Sequence, residues 1–259
     1  MTGSLHSLEP DAERARSIAE QGMILRALVG STVHGFSNPG TDDRDEMGVC
    51  VEPPEYVLGL RRFEHFVTRT QPDGVPSGPG DLDLTVYGLR KFCSLALKGS
   101  PTVLLLLFVE GEHLLTQTAP GEDLRALAPA FLSRRTGQAF LGYLDAQRRG
   151  LVDERHATRT RELSSHHGYD TKYAMHALRI GVQGLELLGT GRMTLPVPEP
   201  ERTLLRAVRA GEVPLADVLA ELDDVTRRLR TLTDASTLPA QGDAARVDSF
   251  LVGTYRAAW

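Results

Sequence analysis

The chain has 259 residues, of which 41% are hydrophobic and 24% are charged, and its formal net charge is −5. This composition is typical of a folded globular protein and excludes an intrinsically disordered chain. The negative net charge argues against a general coat protein for nucleic acid, which needs a basic surface, but it leaves room for a local basic patch.

The N-terminal segment and the two cysteines predict a cytoplasmic protein. The segment MTGSLHSLEPDAERARS has no apolar signal core, so we do not expect secretion. Cys50 and Cys93 each lie in an apolar stretch, which favours buried free thiols over a disulfide or a metal site and fits a reducing compartment. The longest apolar run, residues 103–109, is too short to span a bilayer, and we expect no membrane partner.

The first elements in chain order predict a helix followed by two strands. Residues 11–28 have apolar positions at helical spacing and an acidic start. Residues 25–29 are apolar enough to form a short strand that runs into Gly30 and Ser31. A turn broken by proline and glycine (SNPGT) follows, and residues 45–51 resume as a strand.

The next stretch predicts a loop, a strand and a helix. Residues 71–80 are a loop by composition, and residues 81–87 (DLDLTVY) alternate apolar and polar positions as a strand does, with Asp81 and Asp83 on one face. A helix is expected at residues 88–98. The run VLLLLFV that follows is compatible with a buried strand or a buried helical turn, and periodicity does not distinguish them.

The character of the sequence changes at about residue 120. Strand patterns nearly vanish there, arginine-rich helical patterns take over, and residues 196–201 and 234–243 interrupt them as loops. We therefore predict a mixed α+β fold with two domains. A small sheet with flanking helices occupies residues 1–118, and an all-helical half occupies residues 119–259.

Three aspartates are the first candidates for a functional site. Asp43 and Asp45 project from the same face if their segment is extended, and Asp83 would meet them if the two strands pair. Two carboxylates about 4 Å apart repel by roughly 4 kcal/mol at an effective dielectric constant of about 20. A hard divalent cation with oxygen ligands, Mg²⁺ or Mn²⁺, would neutralise such a cluster. The alternative is that Asp42 and Asp43 simply cap a turn.

The small residues before these aspartates suit a phosphate group. Gly30 lets the backbone approach a ligand closely, and Ser31 offers a hydroxyl and an amide. Gly-Ser, a gap of about ten residues, Asp-x-Asp and a third Asp on a later strand resemble the DNA polymerase β-type nucleotidyltransferase superfamily. The matching positions are Gly30, Ser31, Asp43, Asp45 and Asp83.

Three further stretches narrow the resemblance to the YcgL/RlaP-type predicted nucleotidyltransferases. They are LRKFCSLALKGSPTVL (89–104), GYDTKYAMHALRIGVQGLELL (168–188) and LLRAVRAGEV (204–213). The resemblance implies a polymerase β-like sheet in the first half and a helical domain that completes the nucleotide cleft in the second. Glu46 and Met47 depart from the aliphatic and basic residues common after the Asp-x-Asp, which leaves the substrate open.

The resemblance also implies the chemistry of a metal-dependent nucleotidyltransferase. Asp43 and Asp45 would bridge two Mg²⁺ (or Mn²⁺) ions, and Asp83 would complete the metal site, so that all three are catalytic and metal-binding. Asp81 is the alternative third carboxylate, and we prefer Asp83 for its more strand-like register. The reaction would transfer a nucleoside monophosphate from a nucleoside triphosphate to a hydroxyl group and release pyrophosphate. Links of the wider family to RNA repair suggest a nucleic-acid end as the acceptor.

A second motif, YDTKYAMHALRIGVQ, contains the candidate triphosphate ligands. Lys172, His176 and Arg179 recur at spacings of four and three, so they lie within roughly 60° of one another on a helix. With Gly30 and Ser31 they would position the triphosphate, the lysine and arginine on the β- and γ-phosphates and the histidine through a hydrogen bond. The alternative is a solvated polar face of an amphipathic helix.

Arginines crowd the segment before this motif and could either hold a polynucleotide or form a helix surface paired with acids. They are Arg134, Arg135, Arg148, Arg149, Arg155, Arg159 and Arg161. Two other functions stay open: a nucleotidyltransferase that modifies a protein hydroxyl, as antitoxin-like enzymes do, and a non-catalytic nucleotide-binding module. The three carboxylates argue against the module. The sequence does not specify the nucleotide, the acceptor or the oligomeric state.

Overall fold

The computed structural model describes residues 10–36, 43–71, 78, 80–152 and 168–259. Most of the predicted loop at 71–80, the turn at 37–42 and three of the arginines, Arg155, Arg159 and Arg161, lie outside these ranges. The chain divides into two compact units, each described by itself. One contains Met1–Ala96, Leu105–Ala130 and Asp243–Trp259, and the other contains Leu97–Leu104 and Phe131–Gly242. The predicted domain boundary at residues 118 and 119 stays a prediction.

Within the described ranges, the elements alternate at first and are then all helical. The strands are β1 (Met23–Leu28), β2 (Arg44–Cys50), β3 (His65–Arg69), β4 (Leu82–Gly88) and β5 (Leu114–Gln117). The helices are α1 (Ala12–Gln21), α2 (Gly30–His34), α3 (Pro54–Val57), α4 (Leu89–Leu97), α5 (Pro101–Leu106), α6 (Ala119–Ala126), α7 (Ala128–Phe131), α8 (Arg134–Val152), α9 (Thr171–Thr190), α10 (Glu201–Ala210), α11 (Leu215–Ala235) and α12 (Ala244–Ala258). The prediction of a mixed α+β fold with a helical C-terminal half is confirmed.

The sheet belongs to the first unit and has the strand order β3-β4-β2-β1-β5. β2 and β4 pair in parallel, and the other neighbouring strands pair antiparallel. Because residues that pair in a parallel ladder project on the same side, β2 and β4 present matched rows of side chains on both faces.

Helix α1 covers one face of this sheet and ends earlier than the sequence predicts. Ile18 and Ala19 of α1 pack in one buried cluster with Leu84 and Val86 of β4. The predicted helix to residue 28 is wrong after Gln21. A Cβ atom at Gly22 would lie 2.3 Å from the carbonyl oxygen of Val51, so only glycine lets the chain turn there and enter β1.

A buried carboxylate joins three elements of the sheet unit. Glu52, just after β2, accepts hydrogen bonds from the Leu89 N–H (3.0 Å) and from the Tyr255 hydroxyl (2.6 Å). Burial raises the pKa of Glu52 above its usual value. The side chain thereby connects the end of β2 to the first residue of α4 and to the C-terminal helix α12.

The second unit is a bundle in which α8, α9 and α11 pack against one another and α10 packs on α9. Glycine allows the close approach of α8 and α9, since a Cβ atom at Gly184 would lie 2.5 Å from the Phe140 ring. None of the helices in the described ranges combines the length and the apolar character that a membrane span requires.

Two predictions about apolar segments have clear outcomes. Residues 103–106 of the run VLLLLFV belong to α5, so the alternative of a buried helical turn is the observed one. Cys50 and Cys93 are buried free thiols, as predicted. Burial raises the pKa of Cys93 to about 12 and that of Cys50 further, so both thiols stay protonated.

Candidate metal and nucleotide site

The parallel pairing of β2 and β4 brings the three predicted aspartates together. Asp45 is directly opposite Asp83 in the ladder, so their side chains project on the same face. Asp43 precedes Asp45 by two residues. One carboxylate oxygen of each residue lies within 4.8 Å of the other two, and all three residues are partly buried. The expected convergence of carboxylates from two strands is present.

The geometry of this cluster fits a hard cation. Oxygens that share an ion lie no more than about 4 Å apart around Mg²⁺, which binds oxygen at about 2.1 Å, and no more than about 5 Å apart around Ca²⁺, which binds it at up to about 2.6 Å. The carboxylate oxygens of Asp43, Asp45 and Asp83 lie within 4.8 Å of one another, so small side-chain shifts would bring them to the Mg²⁺ distance. In the part of the chain that the structure describes, this is the group whose chemistry and spacing suit a divalent metal ion.

Neighbouring polar groups orient Asp83. The Gln71 side-chain amide donates a hydrogen bond of 3.0 Å to Asp83 Oδ1, and Arg69 Nε lies 3.4 Å from the same oxygen. Arg69 is the residue that pairs with Asp83 across β3 and β4. These contacts hold the carboxylate in one orientation beside the other two aspartates.

Asp81 uses its carboxylate differently. It accepts a hydrogen bond from the Thr70 hydroxyl (3.0 Å) and another from the Gly78 N–H (2.9 Å). Both bonds close the connection between β3 and β4. Of the two alternatives for the third carboxylate, Asp83 is the one that lies with Asp43 and Asp45.

Gly30 contacts the cluster from the first turn of α2. Its φ is +68°, and a Cβ atom would lie 2.0 Å from Asp45 Oδ2. The Val29 N–H also donates to the Asp45 carbonyl at 2.9 Å. Glycine is therefore required for the Asp45 carboxylate to lie against the backbone. The predicted phosphate contacts of Gly30 and Ser31 stay a prediction.

A group of charged residues that the sequence analysis missed lies on the opposite face of β2. Glu46 is buried there, and it forms ion pairs through Oε2 with Arg26 Nε and through Oε1 with Arg44 Nε. Leu84, which pairs with Glu46, packs in the cluster under α1. A charged residue inside the otherwise apolar strand MILRAL was the sequence signal for this group.

The second motif forms a partly buried network within the helical unit. Arg179 is buried and donates to Gln183 Oε1 (2.8 Å), and its other terminal nitrogen lies 2.8 Å from His176 Nδ1. His176 Nε2 lies 2.5 Å from the Tyr143 hydroxyl. Lys172, by contrast, is exposed. The three predicted ligands therefore differ in exposure, and the solvated-face alternative describes only Lys172.

The electrostatics of this network keep His176 neutral. Burial lowers the pKa of His176 to about 3, and the nearby charges of Arg179 and Lys172 contribute to that lowering. Since a guanidinium can only donate, Nδ1 of the ring must accept and Nε2 must carry the proton. Burial also lowers the pKa of Arg179 to about 10, which leaves it charged at neutral pH.

One arginine of α8 follows one of the two interpretations left open by the sequence. Arg148 makes a two-pronged ion pair with Asp223 of α11, with distances of 2.6 and 3.2 Å. Arg148 therefore matches the prediction of a helix surface whose arginines pair with acidic residues. Three others of the predicted set lie outside the described residues.

Comparison with known proteins gives one family match. A family model described as "RlaP: RNA repair pathway DNA polymerase beta family" matches residues 8–252. A solved structure, a nucleotidyltransferase-like protein from Exiguobacterium sibiricum 255-15, matches at 12% sequence identity and a TM-score of 0.30, over 95% of this chain and 80% of that chain. No curated protein matches the sequence.

Proposed function

We propose that this chain, which belongs to the RNA repair pathway DNA polymerase beta family, is a metal-dependent nucleotidyltransferase. It would transfer a nucleoside monophosphate from a nucleoside triphosphate to a hydroxyl group, with a nucleic-acid end as the acceptor. One observation carries the proposal: carboxylate oxygens of Asp43, Asp45 and Asp83 lie within 4.8 Å of one another.

The three aspartates would hold the divalent ions, Mg²⁺ or Mn²⁺. Bound there, the ions supply Lewis-acid polarisation of the phosphate and a lower pKa for the acceptor hydroxyl. The protein contributes orientation, because Gly30 supports the Asp45 carboxylate and Gln71 fixes one oxygen of Asp83. Carboxylates that are already oriented lose little conformational freedom when a ligand binds.

The reaction itself is a substitution at phosphorus. The acceptor hydroxyl loses its proton to solvent, its oxygen bonds to the α-phosphorus in line with the bond from the α-phosphorus to the bridging oxygen, that bond breaks, and pyrophosphate leaves. We propose that the backbone at Gly30 and the hydroxyl of Ser31 bind triphosphate oxygens. Of the three residues of the second motif, the exposed Lys172 suits a direct phosphate contact, while His176 and Arg179 hydrogen-bond to each other and to buried neighbours.

Labelled nucleoside triphosphates test the proposal directly. We would incubate the protein with each triphosphate and Mg²⁺ or Mn²⁺, with RNA, with DNA, or with no added acceptor. Labelled polynucleotide and released pyrophosphate are the expected products. Labelled protein would instead support the protein-modifying alternative. Triphosphate binding without transfer, unchanged in Asp43→Ala, would support the non-catalytic module and overturn the proposal.

A matched pair of variants identifies the third carboxylate. Asp83→Asn and Asp81→Asn make the same isosteric change two residues apart in the sequence. We expect Asp83→Asn to abolish transfer and Asp81→Asn to retain most of it, because the Asp81 carboxylate is bonded to Thr70 and Gly78. Equal losses of transfer activity in the two variants would contradict the assignment of Asp83 as the third carboxylate.

A further inference from the structure

We propose that Arg26, Glu46 and Arg44 form a binding subsite for a phosphate group of a polynucleotide acceptor. The inference rests on the proposed function, and it assigns a role to charged residues that the transfer reaction does not use. These residues lie on the face of β2 opposite the aspartate cluster, because side chains alternate along a strand.

The burial of Glu46 is the first observation. Its side chain is 1% exposed, and its neighbours in the sheet are Leu28 on β1 and Leu84 on β4. A carboxylate at such a position is unfavourable unless it is paired, and an apolar side chain would fill the same place without that requirement. What the carboxylate adds is a fixed attachment for two guanidinium groups.

The way the two arginines are attached is the second observation. Both bind Glu46 through Nε, Arg26 at Oε2 and Arg44 at Oε1. Their side chains are 30% and 55% exposed. Among the residues that the structure describes, no hydrogen bond involves the terminal nitrogens of either arginine. Two guanidinium groups are thus held on one carboxylate with donors still available.

The charge and shape of this group suit a phosphate. Two arginines and one glutamate carry a net charge of +1, and the terminal N–H groups of guanidinium match pairs of phosphate oxygens. Glu46 restricts both side chains before any ligand binds, which lowers the conformational entropy cost of binding. A solvated arginine on a helix surface has no such restraint.

The position of the group favours a polynucleotide over the triphosphate. Arg44 lies between Asp43 and Asp45 in the sequence, yet its side chain projects on the other face of β2. A triphosphate bound to the aspartates stays on their face. A polynucleotide carries a phosphate on every nucleotide, so a strand whose end lies at the aspartates can place a later phosphate at Arg26 and Arg44.

Binding of a single-stranded RNA oligonucleotide without any triphosphate tests the inference. The variant Arg26→Met/Arg44→Gln/Glu46→Leu removes the whole charged group, since replacing a complete buried ion group by apolar residues often preserves folding. The milder Arg44→Gln leaves the Arg26–Glu46 pair in place. The control Arg16→Gln also removes one net positive charge, from an exposed pair with Glu20 on α1.

We expect the triple variant to bind the oligonucleotide at least about tenfold more weakly at low salt. The slope of log K against log salt concentration should be smaller by about 0.7 for each phosphate of the single strand that the variant no longer neutralises. Arg44→Gln should show a smaller change in the same direction, and Arg16→Gln should bind as the wild type does. Inorganic phosphate should compete with the oligonucleotide in the wild type and have no such effect in the triple variant.

Three results would overturn the inference: no oligonucleotide binding by the wild type, a wild-type slope in both variants, or a raised KM for the triphosphate in Arg44→Gln with unchanged oligonucleotide affinity. A parallel transfer assay separates this inference from the proposed function. Binding that depends on Arg44 without transfer to any acceptor overturns only the proposed function. Transfer to RNA with unchanged affinity in the triple variant overturns only the subsite.

Discussion

The charged residues of the sheet unit and those of the helical unit have opposite environments. In the sheet unit, Asp43, Asp45 and Asp83 bring three like charges together and keep them partly exposed. In the helical unit, Arg179 is buried and hydrogen-bonded to His176 and other polar neighbours. Like charges at one place call for a ligand of opposite charge, whereas a hydrogen-bonded network is satisfied inside the fold.

This difference in charge environment separates the roles of the motif residues. The aspartates are suited to chemistry because their three carboxylates converge at one place, where a divalent cation would bind them. His176 and Arg179 contribute mainly to the stability of the helical unit, because their polar atoms already have hydrogen-bond partners within the bundle. Loss of an aspartate should therefore damage activity more than stability, and loss of Arg179 should do the reverse.

Asp45→Asn gives the largest expected effect. Removing one of the three carboxylates should lower kcat/KM by about 10³-fold, which corresponds to about 4 kcal/mol of transition-state stabilisation. The melting temperature should be unchanged or higher, because one of three repelling charges is gone. Steady-state kinetics and thermal unfolding measure the two quantities. Transfer at the wild-type rate would show that the aspartates serve only the fold.

Arg179→Met should produce the opposite profile. The variant leaves His176 Nδ1 and Gln183 Oε1 without their buried donor, so we expect a loss of about 2 to 4 kcal/mol in the free energy of unfolding. Urea denaturation measures it. The exposed Arg227, paired with Asp224 on α11, is the matched control, and Arg227→Met should cost less than about 1 kcal/mol. Equal stabilities of the two variants would contradict the comparison.

The contributions of His176 and Glu52 to the free energy of unfolding should change with pH in opposite directions. His176 has a folded pKa of about 3, well below its ordinary value of 6.5. Below pH 6.5 the His176 imidazole therefore binds a proton in the unfolded chain but not in the folded chain. Stability should fall as the pH drops from 6.5 toward 3, by at most about 1.4 kcal/mol per pH unit, or about 2 kcal/mol at pH 5.

Glu52 of the sheet unit provides the opposite case. Its folded pKa is raised, so the folded chain keeps a proton that the unfolded chain has released. That contribution to stability increases as the pH falls through the raised pKa of Glu52. Urea denaturation between pH 5 and 7 should show a flatter profile for His176→Gln and a steeper loss toward acid for Glu52→Gln. Parallel profiles for both variants and the wild type would refute the assignment.

Gly30→Ala should lower stability less than Arg179→Met does and activity less than Asp45→Asn does. A Cβ atom at Gly30 would displace the Asp45 carboxylate, and the positive φ adds strain, so we expect about 1 to 2 kcal/mol of destabilisation and at least about tenfold lower activity. Gly111 has a similar φ of +63° with nothing within 4 Å of its Cβ position. Gly111→Ala should therefore lose stability through backbone strain and keep full activity. Equal activity losses would mean that Gly30 matters only for its backbone conformation.

Much of the site could be predicted because its signals are local. The alternation of DLDLTVY fixed which face of β4 holds Asp83, and the Asp-x-Asp spacing placed Asp43 and Asp45 on one side of the chain. The pairing of β2 with β4 follows no local rule, but the clustering of like charges at the two strand starts made it a reasonable expectation. The short strands β3 and β5 were not predicted, since none of their residues is fully buried and their patterns are weak.

The rest depended on contacts between distant residues. The buried state of Glu46 follows from ion pairs with Arg26 and Arg44, and that of Glu52 from a hydroxyl about 200 residues away on α12, at Tyr255. The end of α1 at Gln21 depends on the close approach of Gly22 to Val51. Helical spacing placed Lys172, His176 and Arg179 on one edge of α9, but it could not show that α8 covers part of that edge with Tyr143.

Titration with Mn²⁺, followed by electron paramagnetic resonance, tests the central claim most directly, because it measures ion binding without requiring a substrate. The wild type and Asp81→Asn should bind Mn²⁺ with the same affinity, and Asp45→Asn and Asp83→Asn should each bind it at least about tenfold more weakly. Wild-type affinity in Asp45→Asn and Asp83→Asn, or no specific Mn²⁺ binding by the wild type, would contradict a shared metal site on β2 and β4.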